Sequence, residues 1–263
     1  MSDQVKYTQK LQGAKILITG GSAGIGYGVA EACLENGCNV TISSSNDTRV
    51  QQAVAKLSAA YPSAAAQNRI RGFACNLGEE KTLEAEVKRL LELVGKGIDH
   101  VVHTAGDGLA TMKLEGIEME GVKKAGMVRF FAPLFLGKLA PKYMNPGPAS
   151  SIIITTGSVS ERPLPDWTVV NSYATGLQGM VRGMALDLKP LRINLVSPGV
   201  VDTELWKDMP EDVKRGMFAE MEKKIPVGKV GQVVDVAESY LYLMKDRNVS
   251  GAMVSTSGGH LLV

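Results

Sequence analysis

The feature that most constrains this chain is the alternation of short apolar runs with longer helical patterns. Seven runs rich in β-branched residues recur along the 263 residues, from AKILITG near the start to GAMVSTSGG near the end. Strands that alternate with helices in this way form a parallel sheet covered on both faces. The pattern predicts one α/β domain over residues 1–263, with a doubly wound parallel sheet of about seven strands flanked by helices. Helical periodicity is found at 24–36, 47–60, 79–95, 116–144, 168–189 and 232–245.

Composition excludes several classes of partner. The 29 basic and 27 acidic residues give a net charge of +2 and form no long block, so nothing marks a surface for nucleic acid. The polar N-terminus and the lack of an apolar run of roughly 20 residues argue against a signal peptide or a membrane span. The three cysteines and three histidines show no metal-ligand spacing. We expect a cytoplasmic protein that acts on a small molecule and binds no metal.

A glycine-rich turn, TGGSAGIG, follows the first predicted strand and leads directly into a helix. Glycines let the backbone turn tightly and approach a pyrophosphate, whose charge is attracted by the free N–H groups of the helix. Between a strand and a helix, this pattern predicts a Rossmann-like dinucleotide site. The expected contact residues are Gly20, Ser22, Ala23, Gly24, Ile25 and Gly26.

The end of the second predicted strand indicates which dinucleotide is bound. A carboxylate there accepts hydrogen bonds from a bare ribose, but this chain reads ISSSNDTR. Ser44, Ser45, Asn46 and Arg49 offer hydroxyls, an amide and a guanidinium, which suit a 2′-phosphate. We therefore predict NADPH as the cofactor. The alternative is that Asp47 reaches a ribose, although an aspartate here also suits the start of a helix.

Residues 200–230 form the longest irregular stretch and carry scattered Met, Trp and Phe. Long loops in compact domains often cover a binding site. This segment is therefore a candidate substrate lid, and the alternative is an ordinary packed pair of short helices.

Five motifs, in this order along nearly the whole chain, resemble the short-chain dehydrogenase/reductase family: TGGSAGIG, CNL, HTAG, SYATG and SPGVVDT. The resemblance implies a homotetramer packed through the helices at 116–144 and 168–189. It also implies contacts with the adenine, the ribose and the nicotinamide carboxamide, all from residues just after predicted strand ends. The residues implied at the adenine are Asn76 and Leu77, and those at the ribose are Thr104, Ala105 and Gly106. Those around the carboxamide are Pro198, Gly199, Val201 and Thr203.

The same resemblance implies a catalytic group of Asn, Ser, Tyr and Lys, which this chain keeps only in part. Tyr173 matches the tyrosine, which also contacts the cofactor, but the lysine position holds Leu177 and the asparagine position holds Arg129. Ser158 matches the serine by its place after a strand, whereas Ser160 matches by its spacing from the tyrosine. Without a neighbouring cation, a tyrosine stays neutral at physiological pH. The usual proton relay to a carbonyl oxygen is therefore weakened.

A different substrate needs no such relay. Hydride addition to an iminium C=N⁺ leaves no oxyanion to protonate, and such a site favours a carboxylate beside the cation. Asp166 and Trp167 offer a carboxylate and an aromatic face to a cationic ring. The alternative is that Asp166 caps the next helix. Arg129 is expected to orient a polar substrate oxygen, to pair with Asp166 or to point to solvent.

The stretch from TTGSVSERPLPDWTVV to SPGVVDTELW is similar to a fungal branch of the family. That branch contains the reductase/Diels–Alderases of bicyclo[2.2.2]diazaoctane indole alkaloid pathways, of the malbrancheamide and paraherquamide type. The resemblance implies NADPH reduction of an iminium intermediate, followed by an intramolecular [4+2] cycloaddition in the same pocket. Two alternatives are open: a carbonyl reductase that uses Tyr173 and Ser158, and a non-catalytic NADPH-binding sensor.

Overall fold

The structure is a computed structural model that describes residues 4–263. The strands are β1 (Lys15–Thr19), β2 (Asn39–Ser44), β3 (Ile70–Ala74), β4 (His100–His103), β5 (Ser151–Thr155), β6 (Arg192–Pro198) and β7 (Met253–Thr256). They form one parallel sheet in the order β3-β2-β1-β4-β5-β6-β7. The seven predicted strands and the doubly wound α/β fold are confirmed.

Helices cover both faces of this sheet. Along the described chain they are α1 (Gly24–Glu35), α2 (Asp47–Ala60), α3 (Pro62–Ala66), α4 (Leu83–Val94), α5 (Met119–Gly126), α6 (Ala132–Leu139), α7 (Thr168–Asp187), α8 (Glu211–Glu222) and α9 (Val233–Lys245). α1, α2 and α9 pack with Ile16 and Ile18 on one face, and α4, α6 and α7 pack with Leu17 on the other. Successive strand residues point to opposite faces, so β1 contributes to both cores. None of the helices in the described range has the length and apolar character needed to cross a bilayer.

The strand order reverses at β1, whose neighbours are β2 on one side and β4 on the other. Thr19, at the end of β1, lies level with Ser43 of β2 and His103 of β4. The chain then leaves β1 towards α1 on one face and leaves β4 towards α5 and α6 on the other. The crevice between such diverging connections is where open α/β sheets bind ligands.

One predicted helix, 116–144, is interrupted in the structure, because α5 and α6 are joined by a π turn over Met127–Phe131. The N–H of Ala132 bonds to the carbonyl of Met127, five residues back. Pro133 follows, and a proline has no N–H to donate to the carbonyl four residues back. The prediction of one regular helix is therefore wrong. π turns often mark functional sites.

The candidate lid, 200–230, contains a 3₁₀ turn at Glu204–Trp206 and the helix α8. No residue of α8 is buried. The ring of Trp206 meets that of Phe218 edge-on at 6.3 Å between centroids. The segment is thus a pair of short helices packed on each other at the surface, and its use as a lid stays a prediction.

The two histidines of β4 make stability depend on pH. His100 and His103 are 2% and 1% exposed, and burial lowers their pKa from 6.5 to about 3 and about 4, respectively. Between these values and pH 6.5 the unfolded chain binds protons that the folded chain does not, so stability falls as pH falls. From pH 7 to pH 5 we expect each histidine to remove about 2 kcal/mol from the unfolding free energy.

Urea unfolding at pH 7, 6 and 5 measures this slope. The His103→Gln variant lacks one of the two buried rings of β4, so its loss of unfolding free energy between pH 7 and 5 should be about 2 kcal/mol smaller than that of the unsubstituted protein. An unfolding free energy that stays constant between pH 7 and 5 would contradict the burial of both rings.

Candidate active site

The glycine turn after β1 is packed too tightly for side chains. Gly20 has a φ of +83°, and a Cβ there would lie 2.4 Å from the backbone N of Ala105. A Cβ on Gly26 would lie 2.3 Å from Oγ1 of Thr104. That hydroxyl donates to the carbonyl of Thr19 at 2.9 Å, which ties the loop after β4 to the sheet. The turn therefore brings bare backbone to the switch point.

The N-terminus of α1 leaves its backbone N–H groups without a side-chain cap. The helix begins at Gly24, the preceding Ala23 provides no side-chain cap, and the first turn has no acidic residue. Free N–H groups and the positive end of the helix dipole favour a group such as a pyrophosphate. Of the predicted contact residues, Ser22 lies just before α1 and Ile25 lies in its first turn. This glycine cradle fits a dinucleotide.

The residues after β2 lie at the same edge of the sheet. Asn46 caps α2 by accepting the N–H of Arg49 at 3.0 Å, and Asp47 accepts from Gln51 at 3.4 Å. Asp47 thus takes part in the first turn of a helix, which is one of the two roles expected for it. The side chains of Ser45 and Arg49 are exposed at this corner.

The two residues expected at the adenine differ in what they can offer. The Asn76 side chain accepts the N–H of Gly78 at 3.0 Å and so shapes the loop after β3. Leu77 is 4% exposed and packs in the core. In this structure only its backbone can face a ligand.

The residues after β6 are held by β7. Gly199 donates its N–H to the carbonyl of Thr256 at 3.2 Å, and a Cβ on it would lie 3.0 Å from the Cα of Ser257. Pro198 and Val201 are both buried. This close packing fixes the backbone at the strand end.

The next residues turn back over the glycine cradle. A Cβ on Gly24 would lie 3.3 Å from the Cβ of Thr203 and 3.5 Å from a carboxylate oxygen of Glu204. Thr203 accepts the N–H of Leu205 at 3.3 Å, which starts the 3₁₀ turn. Thr203 is thus beside the pyrophosphate cradle, and Glu204 would have to rotate away from it before a pyrophosphate could bind.

The Tyr173 hydroxyl is bonded to a neighbouring helix. It donates to the carbonyl of Val122 in α5 at 3.0 Å, and its ring packs against Phe130 and Phe131 with centroids 5.1 and 6.0 Å away. Burial raises its pKa above the ordinary value of 10. Leu177, at the position expected for a lysine, is 2% exposed in the core. This pair is therefore not arranged to lower the tyrosine pKa.

Both candidate serines lie in one 3₁₀ turn, Ser158–Ser160, directly after β5. Each is 8% exposed. The Ser160 hydroxyl is buried without a hydrogen-bond partner among the described residues, and its carbonyl accepts from Thr175 of α7 at 2.9 Å. The structure thus brings the serine turn against the tyrosine helix and keeps both serines in place as candidates.

Arg129, in the π turn, lies flat against the loop after β4. A Cβ on Gly106 would lie 2.7 to 2.9 Å from its guanidinium atoms. The guanidinium donates to the carbonyl of Asp107, and its Nε lies 3.3 Å from the Asp107 carboxylate, although that N–H is not aligned with the oxygen as a hydrogen bond. A third of the side chain, 32%, is exposed, yet burial lowers its pKa and the facing carboxylate partly offsets this.

The partner of Arg129 is therefore Asp107, and the suggested pairing with Asp166 is wrong. Sequence reasoning missed Asp107. Its only signal was its place directly after HTAG, where the chain leaves β4 at the ligand edge of the sheet.

Asp166 occupies a strained position at the start of α7. Its φ is +61°, a region that glycine adopts freely and that other residues adopt at a cost. Its carbonyl accepts the N–H of Met112 at 3.1 Å, and its carboxylate is exposed. The capping position belongs to Trp167, which makes no side-chain cap bond, so the helix-cap alternative for Asp166 is wrong.

Two loops meet beside the Arg129–Asp107 pair. The Met112 bond joins the loop that begins at Gly106 to the loop that carries Asp166. Among residues 4–263, no group of three or more His, Cys, Asp or Glu side chains is arranged to hold a metal ion.

A doubly wound sheet with a glycine cradle at its switch point defines a Rossmann-fold dinucleotide-binding protein. A family model described as an SDR-like Rossmann domain matches residues 7–263. The chain belongs to the short-chain dehydrogenase/reductase family.

Similar fungal proteins match the whole chain. The short-chain dehydrogenase/reductase fsr5 of Gibberella fujikuroi is 44% identical over 266 residues, which cover 100% of both chains. The short-chain dehydrogenase/reductase malC of Malbranchea aurantiaca is 37% identical and covers 96% of both. The solved structure of MalC reductase/Diels–Alderase superposes with a TM-score of 0.92 at 36% identity, over 98% of this chain and 100% of that one. A small-chain dehydrogenase in complex with NADPH shares the fold, with a TM-score of 0.78 at 24% identity, over 96% of this chain and all of its own.

Gly26→Ala should weaken dinucleotide binding at least tenfold, because its Cβ would collide with Thr104 and with the carbonyl of Gly20, 2.4 Å away. Titration of the cofactor by isothermal calorimetry measures the change. Gly216→Ala in α8 is the matched control, since a Cβ there meets nothing within 4 Å. Equal affinities for the two variants, both folded by circular dichroism, would mean that the glycine cradle does not hold the dinucleotide.

Proposed function

We propose that this protein is an NADPH-dependent reductase of an iminium intermediate in fungal indole alkaloid biosynthesis, and that it also directs an intramolecular [4+2] cycloaddition. The observation that carries the proposal is the Tyr173 hydroxyl, whose proton is engaged in a hydrogen bond to the carbonyl of Val122. NADPH supplies the hydride. The residues of this chain hold the cofactor, orient the substrate and balance its charge.

The cofactor proposal rests on the glycine cradle and on the corner after β2. Gly20, Gly24 and Gly26 expose backbone to a pyrophosphate. The hydroxyls of Ser44 and Ser45 and the exposed guanidinium of Arg49 suit a 2′-phosphate, because arginine pairs with phosphate in a fork geometry. The residues present therefore fit NADPH better than NADH.

The substrate proposal rests on what the site lacks for carbonyl reduction. Reduction of a carbonyl leaves an alkoxide that needs a proton, and general acid assistance is most effective from a group whose pKa is close to the working pH. Burial raises the pKa of Tyr173 instead, and Leu177 provides no cation. Reduction of C=N⁺ gives a neutral amine and needs no proton on an oxygen.

The charged residues support a cationic substrate. The exposed Asp166 carboxylate can pair with an iminium and exchange a proton with its neighbouring atoms, and the adjacent Trp167 can stack on a planar cation. The guanidinium of Arg129 can donate to an amide carbonyl of the same substrate without losing its proton. A zwitterionic or amide-containing iminium would meet complementary charge on both sides.

The cycloaddition is the further part of the proposal. It requires a pocket that holds two parts of one molecule together, more than it requires titrating groups. Support comes from the likeness of the whole chain to the MalC reductase/Diels–Alderase. A homotetramer packed through α5, α6 and α7 stays a prediction from the family resemblance.

A carbonyl reductase is the second candidate. The Ser160 hydroxyl is buried without a partner, and the serine turn touches the helix of Tyr173. If the tyrosine rotated away from Val122 when substrate binds, Tyr173 and Ser158 could act on a ketone. The third candidate, a non-catalytic NADPH sensor, is favoured by no further observation.

Arg49→Ala should lower the affinity for NADPH about tenfold or more and leave the affinity for NADH within twofold, because only NADPH carries the 2′-phosphate. Calorimetric titration with both cofactors measures the ratio. Arg247→Ala is the matched control, since Arg247 is exposed and precedes β7 at the opposite edge of the sheet. A parallel loss of both affinities would remove Arg49 from the 2′-phosphate site.

Purified protein should oxidise NADPH with cyclic iminium salts and not with ketones. Asp166→Asn should lower kcat/KM on iminium substrates at least tenfold, whereas Tyr173→Phe should leave it within threefold. Asp187→Asn is the matched control, because this exposed aspartate ends the helix that Asp166 precedes. Turnover of ketones that is lost in Tyr173→Phe would establish the carbonyl reductase instead, and tight NADPH binding without turnover on either panel would favour the sensor.

A further inference from the structure

His103 links the central sheet to the π turn. Its ring is 1% exposed at the end of β4. Nδ1 lies 2.8 Å from the hydroxyl of Thr19 in β1, and Nε2 lies 2.9 Å from the carbonyl of Val128. Val128 directly precedes Arg129 in the chain. A buried histidine thus touches the backbone of the residue next to the guanidinium.

The carbonyl of Val128 lacks both its α-helical and its π-helical donor. Its α-helical donor would be Ala132, whose N–H bonds to Met127 instead. Its π-helical donor would be Pro133, which has no N–H. A carbonyl shielded from water and left without a donor destabilises the fold. The donor that the structure places at this carbonyl is Nε2 of His103, which comes from outside the helix.

The protonation of His103 agrees with this role. A carbonyl only accepts, so Nε2 must carry the proton, and a neutral ring then accepts at Nδ1 from the Thr19 hydroxyl. The pKa of His103 is lowered to about 4. Burial is the main cause, and the positive charge of Arg129 makes a smaller contribution in the same direction. The ring is neutral over the range in which the protein would work.

We propose that His103 is the positioning residue for Arg129: its Nε2–H holds the carbonyl that Pro133 leaves without a helical partner, and the π turn so fixed lays the guanidinium against Gly106. The role of this arginine as the group that orients substrate rests on the proposed function. The placement of the guanidinium beside Asp107 does not.

The direction of the effect follows from helix geometry. A regular α-helix turns each residue by about 100°, so loss of the π turn, which contains one extra residue in its hydrogen-bonded loop, would rotate Arg129 away from Gly106. His103→Leu keeps the volume of the core and removes the donor. His103→Gln keeps a donor at a similar distance and should restore the arrangement.

His100→Leu is the matched control. This histidine begins the same strand, is buried to the same degree, and bonds to the hydroxyl of Ser151 at 2.8 Å rather than to the π turn. Both leucine variants should lose thermal stability. Only His103→Leu should change the π turn and the position of Arg129.

The first readout is independent of turnover. Hydrogen–deuterium exchange of peptides that cover residues 126–134 should rise at least tenfold in His103→Leu and stay within twofold in His100→Leu and His103→Gln. A crystal structure of His103→Leu should show the guanidinium displaced from Gly106. Unchanged exchange or an unmoved guanidinium would overturn the inference, even if the protein reduced no iminium.

The second readout is kinetic, with a cyclic iminium salt as the probe. His103→Leu should raise KM at least tenfold, change kcat less than threefold and leave the NADPH affinity unchanged. In an Arg129→Ala background His103→Leu should raise KM by less than a further twofold, because the effects of two residues that act through one another are not additive. Additive effects, or an equal rise of KM in His100→Leu, would reduce His103 to a structural residue. Absence of iminium turnover in the unsubstituted protein would count against the proposed function alone, since exchange and crystallography still decide the inference.

Discussion

The close approach of the glycine turn to the loop after β4 is the constraint on which the site depends. The distances leave no room for a Cβ at Gly20 or Gly26, so the backbone of the turn lies directly on Thr104 and Ala105. The same loop continues into Gly106, whose missing side chain makes room for the guanidinium of Arg129. The dinucleotide crevice and the Arg129–Asp107 pair therefore lie on opposite sides of one short loop.

The sheet and the cofactor end could be predicted from the sequence because their signals are local. A buried parallel strand is a short apolar run, and a glycine turn between strand and helix needs few distant contacts to form. The helix over 116–144 shows where local signals end. Pro133 marks a break within a helical pattern, but whether the helix bends, stops or forms a π turn depends on His103, which comes from a strand 30 positions earlier.

The candidate catalytic residues illustrate the same limit at the level of side chains. The motifs predict that Ser158 follows a strand and that Tyr173 lies within a helix. They do not predict the direction of the tyrosine hydroxyl, because its acceptor, Val122, belongs to another helix. The pairing of Arg129 with Asp107 is likewise set by how the π turn meets the loop after β4. Periodicity carries no information about such contacts between distant segments.

Charge balance gives an argument for a cationic substrate that is independent of the proton relay. Arg129 and Asp107 neutralise each other as a close pair, whereas the exposed Asp166 carboxylate, the proposed partner of the substrate cation, forms no ion pair within the described part of the chain. A neutral ketone that covered this carboxylate would remove its hydrating water and provide no compensating charge. An iminium in the same place would provide a full positive charge. In the proposed reaction, reduction discharges the substrate and so ends its attraction to Asp166. The neutral product is then held by the shape of the pocket and by the Arg129 hydrogen bond to its amide, and such a pocket can guide a cycloaddition without stabilising any one charged form.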